Sequence, residues 1–169
     1  MNLKKIVCWP PLLGGVGAGV TIAILAYITF QSILSGSNYG LWLIATFGST
    51  VVLVFGYPDN DFAQPKNVLL GHLLCALVGI IFVVLFKITQ DRSIFFLAIG
   101  LAVGLSVMLM MAFKITHPPA GGNTIVVMIA QDSFQFLIFP IMAGAITIIV
   151  VGIIYNRLIL KRNYPLKWL

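Results

Sequence analysis

The sequence predicts an all-α, polytopic helical membrane protein with four full spans and two short or re-entrant segments between them. Three observations predict it. The 169 residues are 60% hydrophobic and only 8% charged, with a mean hydropathy of +1.09, whereas about a quarter of a soluble chain is charged. Four apolar runs reach the roughly 20 residues that a helix needs to cross hydrocarbon. Turn-forming and charged residues gather in the breaks between those runs. Residues 1–169 then form a single transmembrane domain, with no room for a soluble one.

The first span covers about residues 12–34. Lys4 and Lys5 before it imitate a signal peptide. The run is long enough to span, however, and no small-residue cleavage site follows, so it reads as a retained helix. Gly14, Gly15, Gly17 and Gly19 would let another helix approach closely. Residues 35–40 are a turn by composition. The second segment, about 41–56, is short and interrupted by Gly48-Ser49-Thr50. It is either a tight crossing or a helix broken at the glycine. The Ser49 and Thr50 hydroxyls either bond back to the preceding turn or meet a substrate.

Residues 57–67 are the longest polar stretch, with Pro65 where proline starts a helix. The third span, about 66–88, carries His72 in its early turns, with Asn67, Gly71 and Cys75 on one face. A histidine there is costly unless paired or wet. Lys66 either snorkels to headgroups or joins Gln64, Asn67 and His72 in a polar group. Lys87, Asp91 and Arg92 mark the next boundary. The fourth span, about 93–112, holds Gly100 and Gly104 at small-residue spacing, and Met108, Met110 and Met111 read as packing or lipid-facing groups.

The sharpest motif follows: Thr116-His117-Pro118-Pro119-Ala120-Gly121-Gly122-Asn123-Thr124. The prolines fix φ and remove backbone donors. Asn123 or Thr124 can cap a new helix entering Ile125-Val126-Val127. The motif reads as broken backbone followed by a helix N-terminus, whose free N–H groups and partial positive charge suit an anion. The new helix stops at Gln131-Asp132-Ser133, too short to cross alone. The last span, about 136–160, ends among Arg157, Lys161, Arg162 and Lys167, with Tyr164 and Trp168 as interface anchors.

Charge and cysteine usage exclude several classes. The net charge of +6 comes from residues at helix ends, which set orientation and do not form a nucleic-acid patch. The acidic residues are Asp59, Asp61, Asp91 and Asp132, none deep in an apolar run, which argues against a carboxylate-driven proton pump. Cys8 and Cys75 lie in different contexts and make neither a disulfide framework nor a metal pair. No nucleophile–base pair stands out, so the chain is not expected to be an enzyme. No metal or cofactor is implied.

Each half of the chain, about 12–88 and 94–160, reads long span, short segment, long span. Gly48-Ser49-Thr50-Val51-Val52 echoes Gly122-Asn123-Thr124-Ile125-Val126, a weak duplication of the kind that points to a transport site. If both short segments cross, there are six passes and inverted halves. If both re-enter, there are four passes and parallel halves. The charge count does not choose, and both arrangements put the termini in the cytoplasm, in a bacterial inner (plasma) membrane.

Thr116-His117-Pro118-Pro119-Ala120-Gly121, with Gln64-Pro65-Lys66-Asn67-Val68 and Gly71-His72-Leu73-Leu74, resembles the HPP family of small integral membrane proteins. Phe47-Gly48-Ser49-Thr50 and Phe55-Gly56-Tyr57-Pro58-Asp59 fit the same pattern, and the resemblance covers about residues 12–155. It implies nitrite transport, in which cyanobacterial and chloroplast members are implicated. Two departures stand out: Lys66 where arginine is expected, and Gly122-Asn123 in place of an alanine-rich continuation. Lysine and arginine present themselves to anions differently.

The expected function is therefore a transporter or channel for a small monovalent anion, nitrite above all. A bare anion in hydrocarbon costs tens of kcal/mol, so protein groups must replace its water. The candidate substrate-binding residues are Gly48, Ser49, Thr50, Gln64, Lys66, Asn67, His72, His117, Gly121, Gly122, Asn123 and Thr124. The alternative is a non-transporting structural or regulatory subunit whose prolines only shape a turn. Expected partners are membrane lipid and the small inorganic anion, with no nucleic acid. Glycine-rich faces allow a homo-oligomer.

Overall fold

The computed structural model describes residues 9–36, 43–89, 92–130 and 133–168, and every regular element among them is helical. Cys8, Lys4, Lys5, Asp91, Gln131, Asp132 and the turn positions 37–40 lie outside the described residues. Four helices are long and apolar enough to cross a membrane, as the composition requires. Three are α1 (Trp9–Leu34), α3 (Pro65–Thr89) and α4 (Phe95–Ala112). The fourth is the apolar course Leu137–Ile159, whose regular centre is α6 (Ala143–Ile154). Pro140 interrupts its entry, with Phe139 extended at φ −128°, ψ 118°, the conformation a following proline ring favours.

Two helices are shorter. α2 (Ala45–Val51) runs on into a π-helical turn, Val52–Gly56. α5 (Gly121–Ala130) follows the 3₁₀ turn Pro118–Ala120. Ten residues give α5 a length of only ~15 Å. The chain reaches that turn after α4 ends at Ala112 and passes Lys114, which has left-handed backbone (φ 54°). The Ile115 amide returns to the Met110 carbonyl (3.0 Å), the long bond that closes many helix C-termini.

Packing shows which way each short segment runs. The Leu43 amide bonds to Thr29 Oγ1, late in α1 (3.0 Å), while the Phe55 carbonyl lies against Gly14, early in α1. Those two points on α1 are about 22 Å apart along the helix. Residues 43–56 therefore traverse the bundle antiparallel to α1 and do not turn back. The segment entering α5 sets His117 and Ala120 against Gly71, and α5 itself sets Thr124 and Val127 against Gly79, so it runs parallel to α3. The last course returns to the starting end, where Tyr155 Oη donates to the Leu13 carbonyl (2.9 Å) and Asn156 Nδ2 to the Val54 carbonyl (3.1 Å). Six segments thus alternate in direction, and the two halves run oppositely. The re-entrant arrangement that charge alone left open is not the one adopted.

The end that carries the start of α1 is closed by the C-terminal tail. Tyr164, expected as an interface anchor, is instead fully buried, its Oη donating to the Ala63 carbonyl (2.8 Å). Trp168 is exposed, as an anchor should be. Arg157 Nε donates to the Tyr164 carbonyl (2.7 Å) and Arg162 Nη1 to the Phe55 carbonyl (3.3 Å). The Lys167–Asp61 ion pair (2.8 Å) is largely exposed, so it contributes little.

Glycines set the spacing where the two halves touch. A Cβ at Gly17 would lie 2.6 Å from the Phe55 ring and 2.7 Å from the Tyr155 ring, and one at Gly152 would lie 2.5 Å from Val54. Gly19 faces open space. Gly17→Ala should therefore destabilise the protein by about 1–3 kcal/mol through overpacking, lowering its thermal midpoint in detergent, while Gly19→Ala should leave the midpoint unchanged. Equal midpoints for the two variants would refute this packing.

Candidate functional site

The polar residues of the apolar interior converge where α2, α3 and the start of α5 meet. Thr46, Thr50, His72, His117 and Asn123 are all buried. Thr50 and Thr46 stand one turn apart on α2, His72 lies early in α3, His117 precedes the 3₁₀ turn, and Asn123 sits in the first turn of α5. Close approach depends on two glycines. A Cβ at Gly71 would be 2.8 Å from His117 Cβ, and one at Gly122 would be 2.8 Å from Thr46 Cγ2. Phe47 packs edge-on to His72 (centroids 5.2 Å), and the imidazole centroids are 4.9 Å apart.

Hydrogen-bond chemistry gives this cluster a direction. Thr46 Oγ1 donates to Asn123 Oδ1 (2.7 Å). The Asn123 amide nitrogen therefore faces His72 Nδ1 (2.7 Å) and also donates to the His72 carbonyl (3.3 Å). With Nδ1 accepting, neutral His72 carries its proton on Nε2 and donates it to Thr50 Oγ1 (2.8 Å). At the other end, His117 Nδ1 meets the Phe62 carbonyl (2.7 Å). A carbonyl only accepts, so His117 is protonated on Nδ1 and its Nε2 accepts from Thr50 Oγ1 (3.0 Å). The chain of donors runs Thr46, Asn123, His72, Thr50, His117, Phe62.

A second, smaller group lies deeper. Thr124 Oγ1 donates to the Cys75 carbonyl (3.0 Å) and lies 2.8 Å from Ser106 Oγ, which reaches the Ala102 carbonyl (2.9 Å). Cys75 is a free thiol whose Sγ contacts Met110 Sδ (3.5 Å).

Of the residues singled out in the sequence, Thr50, His72, His117 and Asn123 form the main cluster. Thr124 belongs to the second. Gly122 is part of the α2 contact. Gly48 and Ser49 are exposed on the other side of α2. Gln64 is buried but held elsewhere: its Nε2 donates to the Pro58 and Asn60 carbonyls (2.8 and 2.9 Å), and its Oε1 accepts the Leu166 and Lys167 amides (2.9 and 3.2 Å). Asn67 Nδ2 donates to the Thr116 carbonyl (2.9 Å), fixing the approach to His117. Lys66 is half-buried and has no hydrogen bond or ion pair among the described residues. Two amides of the turn that leads into α5 are used within it. Prolines 118 and 119 have none to offer, Ala120 bonds the His117 carbonyl (2.9 Å), and Gly121 bonds the Pro118 and Pro119 carbonyls.

Sequence reasoning missed Thr46 and Ser106. Thr46 lies four residues before Thr50 in an apolar helix, a spacing that puts both hydroxyls on one face. Ser106 is flanked only by apolar residues in the fourth span and gives no signal of its own.

The family described as HPP, transmembrane region, matches residues 5–165. A transmembrane protein of Dictyostelium discoideum is 34% identical over 151 residues, covering 87% of this chain and 52% of the relative. A second Dictyostelium discoideum transmembrane protein is 29% identical over 153 residues, covering 88% of this chain and 48% of the relative. The chain thus spans about half the length of these curated relatives. No solved structure matches it.

Removing the shared hydroxyl leaves two buried imidazole nitrogens facing a methyl group. Thr50→Val should destabilise by about 1–3 kcal/mol, whereas Thr50→Ser keeps the hydroxyl and should retain most of the stability. Thermal unfolding of both variants in one detergent checks this. A Thr50→Val protein as stable as the parent would mean that the hydroxyl holds neither ring.

Proposed function

The chain belongs to the HPP family of integral membrane proteins, and from that premise we propose that it carries a small monovalent anion, nitrite first, across the membrane. One observation supports the reading above the rest. The chain's only two histidines are buried together with Thr50 and Asn123 where two short helices meet, inside a protein of membrane-spanning helices. Polar groups at depth in a membrane protein are costly, and they mark solute pathways. Short helices meeting within inverted halves are the arrangement in which carriers hold their substrates. The charge balance fits an anion: α2, α3 and α5 contain no carboxylate, and Lys66 stands at the start of α3 with no acidic partner among the described residues. The family resemblance implies nitrite.

The site is closed in the form described, because each bond of the cluster joins protein to protein. Transport then requires α2 and α5 to part, exchanging Thr46–Asn123 and Thr50–His117 contacts for contacts with the ion. In this reading Lys66 attracts the anion at the entrance, and the hydroxyls, the Asn123 amide and the imidazoles take the place of its water. The end bearing the tail carries Lys66, Lys114, Arg157, Lys161, Arg162 and Lys167. The preference of basic residues for the inner side supports reading that end as the cytoplasmic face, here of a bacterial inner membrane in this reading. The proposal is of a carrier, not an enzyme.

The closed network also favours a second reading, a non-transporting subunit in which both histidines serve only packing. Uptake of nitrite into proteoliposomes separates the two. The carrier reading expects uptake by the unaltered protein. It expects His117→Gln to reduce the initial rate by about tenfold or more, roughly 1.4 kcal/mol in barrier height, with Gly104→Ala unchanged. Lys66→Ala should slow uptake most at low ionic strength, where a distant charge acts furthest. Unchanged flux in both His117→Gln and Lys66→Ala removes these residues from the mechanism, and no flux in the unaltered protein favours the subunit.

A further inference from the structure

We propose that His117 Nε2 is a proton-binding site that fills together with the transported anion, and that the Thr50 hydroxyl is the rotor that admits the proton. The proton site rests on hydrogen-bond geometry alone. Its coupling to an anion rests on the transport reading above.

The Phe62 carbonyl fixes a proton on His117 Nδ1 in every charge state, so a second proton can be added only at Nε2. Thr50 Oγ1 lies 3.0 Å from that nitrogen and also 3.1 Å from the Thr46 carbonyl. A hydroxyl has one proton to give and two lone pairs to accept with. When His117 is neutral, the Thr50 proton points at Nε2. When His117 is charged, Nε2–H points at Thr50, whose oxygen then accepts from both imidazoles while its own proton turns to the Thr46 carbonyl. Both states satisfy every polar atom of the trio, and the change needs only a rotation of one O–H bond.

His72 offers no such vacancy. Its free nitrogen, Nδ1, faces the Asn123 amide N–H (2.7 Å). A proton there would set donor against donor. Turning the Asn123 amide to relieve this would break the bonds from Thr46 and to the His72 carbonyl. The network therefore takes one proton, and takes it at His117.

The surroundings say what must come with it. α3 presents His72, Cys75 and, at its start, Lys66; α2 and α5 contain no ionisable side chain. The 3₁₀ turn Asp61–Ala63 contributes the Phe62 carbonyl, while its Asp61 carboxylate is exposed and paired with Lys167. Lys114 is exposed, and Tyr164 of the tail is bonded to the Ala63 carbonyl. No carboxylate meets a charged His117. A buried imidazolium without a counter-charge is strongly disfavoured, and so is a buried bare anion, but the two together neutralise one another. The proton comes from solvent, is held while the anion is bound, and leaves with it, so one proton accompanies each monovalent anion and no net charge moves.

The chain has only two histidines, so protein labelled with ¹⁵N at histidine reports two imidazoles and nothing else. In lipid nanodiscs at neutral pH without nitrite, one ring should show the Nδ1–H pattern and the other the Nε2–H pattern. His72→Gln or His117→Gln, whichever folds, assigns them. On acidification the Nδ1–H ring, His117, should gain its second proton first. Saturating sodium nitrite should raise the pH of that step by about one unit or more, a tenfold or greater linkage. Two rings of the same tautomer, or first protonation at the Nε2–H ring, overturn the proton site. Nitrite uptake with a His117 step indifferent to nitrite overturns the coupling while transport stands. No uptake together with no nitrite response tells against the transport reading and removes the coupling with it.

Discussion

The shared hydrogen bond at Thr50 is the constraint around which the interior is arranged. One hydroxyl stands 2.8 Å from His72 and 3.0 Å from His117, and through those rings it ties α2 to α3 and to the segment leading into α5. A polar group left unpaired in such an apolar interior costs several kcal/mol. Each member of the chain from Thr46 to the Phe62 carbonyl is satisfied by the next, so moving one disturbs all. This network makes it possible to keep two imidazoles and an amide inside a bundle whose other neighbours are mostly aliphatic. It depends in turn on backbone proximity. Only glycine at 71 lets the His117 segment sit against α3, and only glycine at 122 lets the start of α5 reach Thr46.

The near end of the bundle supports this arrangement from outside. His117 Nδ1 needs the Phe62 carbonyl in place, and Phe62 belongs to a short turn that would otherwise be loosely held. Gln64, buried beside it, is bonded on both faces, to the loop through its nitrogen and to the tail through its oxygen. Tyr164 locks the same turn through Ala63. The tail thus reaches the site at one remove, by fixing the carbonyl that sets the tautomer of His117. Two of the π-helical turns, Val52–Gly56 and Tyr155–Ile159, meet at the same end, where Asn156 donates to both the Val54 and Gly152 carbonyls.

Much of the fold was legible because length and hydropathy are strong signals for spans. The four long helices fall where the apolar runs put them, and the break at Thr116-His117-Pro118-Pro119 is where the backbone leaves α-helical form. The direction of the short segments was not legible, because the basic residues divide equally well in either arrangement. Only contacts such as Leu43 with Thr29 fix it. His72 and His117 could be named as site residues from their rarity, but not as partners, since 45 residues separate them and neither shares a local pattern with Thr50. Tyr164 was not legible as a buried residue, because a terminal tyrosine reads as an interface anchor until the cleft that receives it is known.

If the chain carries an anion, α2 and α5 must part at the Thr46–Asn123 contact to admit it. A covalent bridge across that contact tests it most directly. A Cβ at Gly122 would lie 2.8 Å from Thr46 Cγ2, close enough for a disulfide between Thr46→Cys and Gly122→Cys, made in a background of Cys8→Ser and Cys75→Ala. The reduced variant, lacking the Thr46 hydroxyl, should take up nitrite in proteoliposomes more slowly than the parent; oxidation should stop that uptake, and reduction should restore it. Uptake by the fully cross-linked protein equal to that of its reduced form would show that the two helices need not part.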